Sequence, residues 1–145
     1  MRDGRGLGIL DADLDGDLDL VISNYLQPAA LLINHSPPQH HWIRFTLEGH
    51  RSNRSAVGAR VVIHHGATMQ TREVSTTAGY LSGQSLALHF GLRLDAGVDR
   101  VVVHWPSGQT QNFGDLAGNR AYHLLEGEAA PNLVLRPEPK TPRNP

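Results

Sequence analysis

With 145 residues, 13 Lys+Arg against 14 Asp+Glu and no cysteine, the chain is long enough to build one ordinary core without disulfide staples. The near-neutral balance and the scattering of its basic residues exclude the electrostatic footprint of a nucleic-acid binder, and the absence of thiols excludes a disulfide framework and thiolate chemistry. No run approaches the roughly eighteen apolar residues that span a bilayer, and residues 1–6 are not followed by a signal-peptide hydrophobic region, so no membrane insertion is expected.

The opening, Gly4-Arg-Gly-Leu-Gly-Ile-Leu10, runs straight into an acidic stretch with no N-terminal element to pack beside it, and reads as the interior of a longer chain. Asp11, Asp13, Asp15, Asp17 and Asp19 then alternate around Gly16. Alternation places all five carboxylates on one side of an extended chain, where like charges repel. A strand with Leu10, Ala12, Leu14, Leu18 and Leu20 facing a core is one way to read this pattern, but the central glycine and the self-repulsion argue against it. Ca²⁺ gathers six to eight hard oxygens, and a loop turning at a glycine can bring alternate carboxylates to one ion. The expected ligands are the side chains of Asp11, Asp13, Asp15 and Asp19 and the carbonyl of Asp17. An EF-hand is excluded, because the twelfth position counted from Asp11 is Ile22 rather than a bidentate Glu.

Residues 18–25 and 30–33 read as two short strands, and 34–41, centred on Pro37-Pro38, as a linker. In Trp42-Ile-Arg-Phe-Thr-Leu-Glu48, Ile43, Phe45 and Leu47 alternate with polar residues, the pattern of a half-buried strand. Further strands are expected at 59–65, 70–76, 85–90, 99–105, 109–113 and 121–126, with turns at Gly66-Ala67 and Pro106-Ser-Gly108 and loops at 49–55 and 78–84. One helical turn is expected at 115–119, and the Pro-rich segment 129–145 is expected to be disordered, with residues 133–135 at most touching the domain. Short turn-bounded strands of this kind make an antiparallel β-sandwich or barrel.

Ser52-Asn-Arg54-Ser and Gly58-Ala-Arg60 place two arginines beside small polar groups, a candidate site for an acidic or sugar ligand; the alternative is a loop whose Asn and Ser bond their own backbone. Tyr80, Trp42 and Trp105 suit either an aromatic platform for a sugar or, as is commoner in small β domains, core. The paired histidines do not form a zinc site, since neighbours on a strand point to opposite faces and no metal-binding spacing accompanies them.

Gly6 to Tyr25 followed by Leu31-Leu-Ile-Asn34 resembles the last FG-GAP/VCBS repeat of a β-propeller. Trp42-Ile-Arg, Leu47-Glu-Gly, Ser52 to Val61, Gly79-Tyr-Leu-Ser, His89-Phe-Gly-Leu92 and Val103-His-Trp-Pro-Ser-Gly108 resemble the ASPIC/UnbV domain. The resemblance implies an all-β chain: a partial propeller blade with a calcium loop over 1–35, a linker at 36–41, an antiparallel β-sandwich over 42–128 and a tail from 129. It implies Ca²⁺ held by Asp11, Asp13, Asp15, Asp17 and Asp19, an extracellular or envelope location, and propeller repeats that belong to a longer parent chain. A non-enzymatic adhesion module binding a protein or glycan through residues such as Arg54, Arg60 and Tyr80 is the expected function. The alternative is a hydrolase on polysaccharide or ester at Tyr80 and Ser82, with calcium structural.

Overall fold

The computed structural model describes residues 3–13, 15–35, 39–77, 83 and 85–134. In chain order its strands are β1 (Gly4–Leu10), β2 (Asp19–Asn24), β3 (Gln27–Leu32), β4 (His41–Glu48), β5 (Arg60–His65), β6 (Thr68–Glu73), β7 (Leu88–Arg93), β8 (Gly97–Val98), β9 (Arg100–His104), β10 (Thr110–Phe113), β11 (Leu116–Ala117), β12 (Arg120–Leu125) and β13 (Asn132–Val134). They form a small sheet β1-β2-β3, two four-stranded sheets β10-β9-β5-β6 and β13-β12-β4-β7, and a short pair β11-β8.

The alternation in the sequence sets which face of each strand is buried. Ile43, Phe45 and Leu47 of β4 turn inward with Leu88, Phe90 and Leu92 of β7 and Tyr122 and Leu124 of β12. Against them pack Val61 and Ile63 of β5, Val101 and Val103 of β9, and Phe113 and Trp105 from the opposite sheet. Phe45 meets Phe90 edge-on at 5.9 Å between centroids and lies against Tyr122 at 6.2 Å, so aromatics fill the middle of the sandwich. Trp105 is core, as expected; Trp42 is buried too, but on the outer face of β4.

Several expectations need correction. Residues 4–10 form a full strand that pairs with β2 along its length, because Leu7 and Ile9 supply the apolar side of a sheet with Ile22 and Leu20. Within residues 115–119 there is no helical turn: Leu116 and Ala117 form β11, pairing with Val98 and Gly97, and too few residues remain to close a helix. Residues 132–134 add β13 to the edge of β12, because that edge leaves backbone groups for a short strand to satisfy. The sandwich is not wholly antiparallel: β12 lies parallel to β4, from Arg120 opposite Ile43 to Leu125 opposite Glu48. Residues 49–119 pass through the other sheet twice, as β5–β6 and β9–β10, with β7 on the far side of β4 between them, and so long a connection permits a parallel return. The strand expected at 85–90 begins only at Leu88.

Two loops are held by one carboxylate. Glu126, only 4% exposed, accepts the backbone N–H groups of His50, Arg51 and Ser52 at 2.7–2.8 Å and the hydroxyls of Ser52 and Ser107. Burial pushes its pKa up, but the Ser107 hydroxyl, the Ser52 and His50 amides and the Ser52 hydroxyl outweigh that and hold it down at about 2. The 49–58 loop and the Pro106–Gly108 turn are thereby fixed to the end of β12.

Candidate metal centre

The acidic stretch leaves β1 at Leu10 and re-enters the fold at Asp19, the first residue of β2. Between them the chain curls through local side-chain-to-backbone bonds of the kind aspartate forms readily. Asp13 Oδ1 accepts the Asp15 N–H at 3.3 Å, Asp15 Oδ1 the Asp17 N–H at 2.8 Å, and Asp11 Oδ1 the Gly16 N–H at 3.4 Å. The extended amphipathic ribbon is thus ruled out for this segment. Asp19 is fully buried, its two oxygens accepting the N–H groups of Ala12 at 2.7 Å and Asn34 at 2.8 Å. It pins both ends of the small sheet.

Gly16 explains why the loop stops where it does. Its φ of +105° is one that L side chains rarely adopt, and a Cβ there would overlap the indole of Trp42. Trp42 in turn stacks on His89 of β7 at 5.8 Å. The loop therefore sits on the outer face of the β4–β7 sheet as a third layer. Burial, with the guanidiniums of Arg72 and Arg44, lowers the His89 pKa to about 4 against the opposing pull of Asp11 and Asp17, so the ring is neutral at pH 7.

The outward side of the loop carries the candidate centre. One ligand atom from each of Asp13, Asp15 and His35 lies within 4.8 Å of the others, all three residues exposed. The Asp17 amide pulls the Asp15 pKa down, but burial and the charges of Asp13, Asp17 and Asp11 together leave it raised, the mark of carboxylates crowded without a counter-charge. Hard oxygens at this density suit a divalent cation. His35, one of the histidines whose spacing sets them aside as zinc ligands, has no place in the aspartate pattern because it lies beyond β3, and only the closure of the small sheet through Asp19 and Asn34 returns it to the loop.

The other sequence candidates do not join this centre. Arg54 pairs at 3.3 Å with Glu48 on an exposed surface, and Arg60 opens β5 opposite Glu73 and His104. The loop between the two arginines is organised by its own backbone, with Asn53 bonding both the N–H and the C=O of Val57 at 2.9 Å. Tyr80 and Ser82 lie outside the described residues. The adjacent histidines do face opposite ways: His64 meets Arg100, whereas His65 is buried between Asp95 at 2.6 Å and Gln70 at 2.9 Å.

A two-sheet β domain with a small acidic-loop sheet laid on its outer face is the class of protein these features define. The chain belongs to the ASPIC and UnbV family, whose model matches residues 49–131. It is similar to cartilage acidic protein 1 of Mus musculus and of Homo sapiens, 33% identical to each over 115 residues, covering 74% of this chain. The same protein of Xenopus tropicalis is 32% identical over a segment of the same length. The chain spans 17% of the length of these relatives. Among the described residues no helix is long and apolar enough to cross a membrane.

Proposed function

We propose that this chain is a calcium-dependent, non-enzymatic interaction module of an extracellular or envelope-associated protein, formed by a terminal FG-GAP/VCBS repeat seated on the ASPIC/UnbV sandwich. The observation that carries the reading is the seating of Gly16 beneath Trp42, which makes the shape of the acidic loop a property of the sandwich surface. Asp13 and Asp15, already gathered on the outward side, are the groups that would hold the ion, with Asp11 and the carbonyl of Asp17 as further oxygens, while Asp19, buried and holding two amides, would act by closing the loop. A bound Ca²⁺ would supply positive charge where the carboxylates crowd. The exposed Leu7, Leu31 and Leu32 of the small sheet support burial against propeller repeats of a longer parent, as does the short share of the relatives that the chain spans.

Thermal unfolding with CaCl₂, ZnCl₂ or EDTA tests this reading. Calcium at a hundredfold excess over Kd stabilises by about 2.7 kcal/mol. Indifference to both calcium and EDTA overturns the metal-dependent account. His35 favours a second reading, a borderline metal such as Zn²⁺ on two carboxylates and an imidazole. Stabilisation by zinc alone that His35→Ala abolishes would replace calcium with it. The hydrolase reading at Tyr80 and Ser82 is addressed by Ser82→Ala in an ester and polysaccharide turnover assay, where no turnover above background is expected of the native chain.

A further inference from the structure

The outermost strands of three sheets, unpaired on one side among the described residues, border one cleft of about 510 Å³. β6 ends one four-stranded sheet, β7 ends the other and β1 ends the small sheet. The cleft takes Ile9 and Leu10 from β1, Arg72 from β6, Leu88 and His89 from β7, and Arg44 from β4. Arg44 Nε is sealed from solvent without a hydrogen-bond partner, and neither Arg44 nor Arg72 forms an ion pair among the described residues. Arg72 instead lies over the Phe90 ring at 5.5 Å. Two acids also line the cleft, Asp11, which accepts the Gly16 amide, and Glu73, which stands opposite Arg60 across the strand pair; no ion pair joins either to Arg44 or Arg72 among the described residues.

A buried guanidinium nitrogen with no acceptor is costly, and a bare edge presents a row of unpaired N–H and C=O groups. We infer that the cleft receives an extended acidic peptide, which adds as a strand along the Leu88–His89 edge of β7 and places a carboxylate on Arg44 and Arg72. Gln70 already bonds the Gly91 carbonyl at 2.7 Å, so the usable edge ends there. Strand addition gives the affinity, and alternate side chains reach the arginines on one side and the apolar wall of Ile9 and Leu10 on the other. A sugar finds less here, because among the described residues the cleft lining holds no phenylalanine, tyrosine or tryptophan to stack on.

The test is fluorescence anisotropy on the full chain with a labelled ten-residue peptide alternating Glu and Val. Comparators are the same peptide with Lys for Glu, the same peptide N-methylated at alternate residues, and a sulfated heparin oligosaccharide. The acidic peptide saturates the protein, N-methylation abolishes binding, and Arg44→Gln and Arg72→Gln each weaken it about tenfold while the far-UV spectrum and Tm stay native. Equal binding of the lysine peptide, no effect of N-methylation, binding of the oligosaccharide in place of the peptide, or no saturation by any probe would overturn the inference. The N-methylated arm needs no variant protein, so a destabilised arginine variant does not blunt the test. Metal titrations without peptide judge the calcium reading separately.

Discussion

Replacing Glu126 with Gln removes the one acceptor on which five donors converge, three amides and two hydroxyls. The variant keeps the shape but turns an NH₂ toward groups that all donate. The depression from 4.5 to about 2 corresponds to about 3 kcal/mol of preference for the ionised, folded form. Although the residue is only 4% exposed, a single loop layer covers it, and screening by the nearby solvent brings this to about 2 kcal/mol. A native pKa below the unfolded one means that the unfolded chain binds more protons between the two values. The stabilisation is therefore complete above about pH 4.5 and is lost as the pH falls toward about 2. Urea unfolding at pH 7 should show Glu126→Gln about 2–3 kcal/mol less stable, and the gap to the native chain should close between pH 4.5 and 2. His89, neutral in the fold with a pKa of about 4, lowers stability as pH falls below its ordinary 6.5, but it does so in both proteins and cancels in the difference. A gap that stays constant across the acid range would refute the assignment of the charged latch.

Gly16→Ala should lift the acidic loop off Trp42, read as a red shift of tryptophan emission and faster proteolysis within residues 11–19, while the Tm of the sandwich changes little, since the loop can move away from the outer face of β4 and leave the inner core packed. Asp95→Ala should cost about 1–3 kcal/mol by thermal unfolding, because Gln70 donates to Nε2 of His65 and leaves a buried Nδ1–H with no acceptor. Asp19→Ala should release the amides of Ala12 and Asn34 together, raising hydrogen exchange in β1–β3 at least about tenfold with β4, β5 and β12 unaffected.

The sequence by itself determined the β class and most of the sandwich core, because alternation of Ile43, Phe45 and Leu47, or of Val101 and Val103, is a local record of which face is buried. It also marked the acidic loop and its turning glycine, since charge repulsion and backbone freedom act over a few residues. Tertiary structure decided the rest. Glu126 looks in the sequence like the polar end of a strand, and only the return of residues 50–52 and 107 to one point makes it a latch. Trp42 reads as core from its size, yet β4 has two faces, and the loop laid on the outer one buries it there. The parallel step of β12 beside β4, the arrival of His35 at Asp13 and Asp15, and the cleft where three edges meet all join residues far apart in the chain. Periodicity reports which way a side chain points from its own strand, while the partner it meets is set by how the sheets stack.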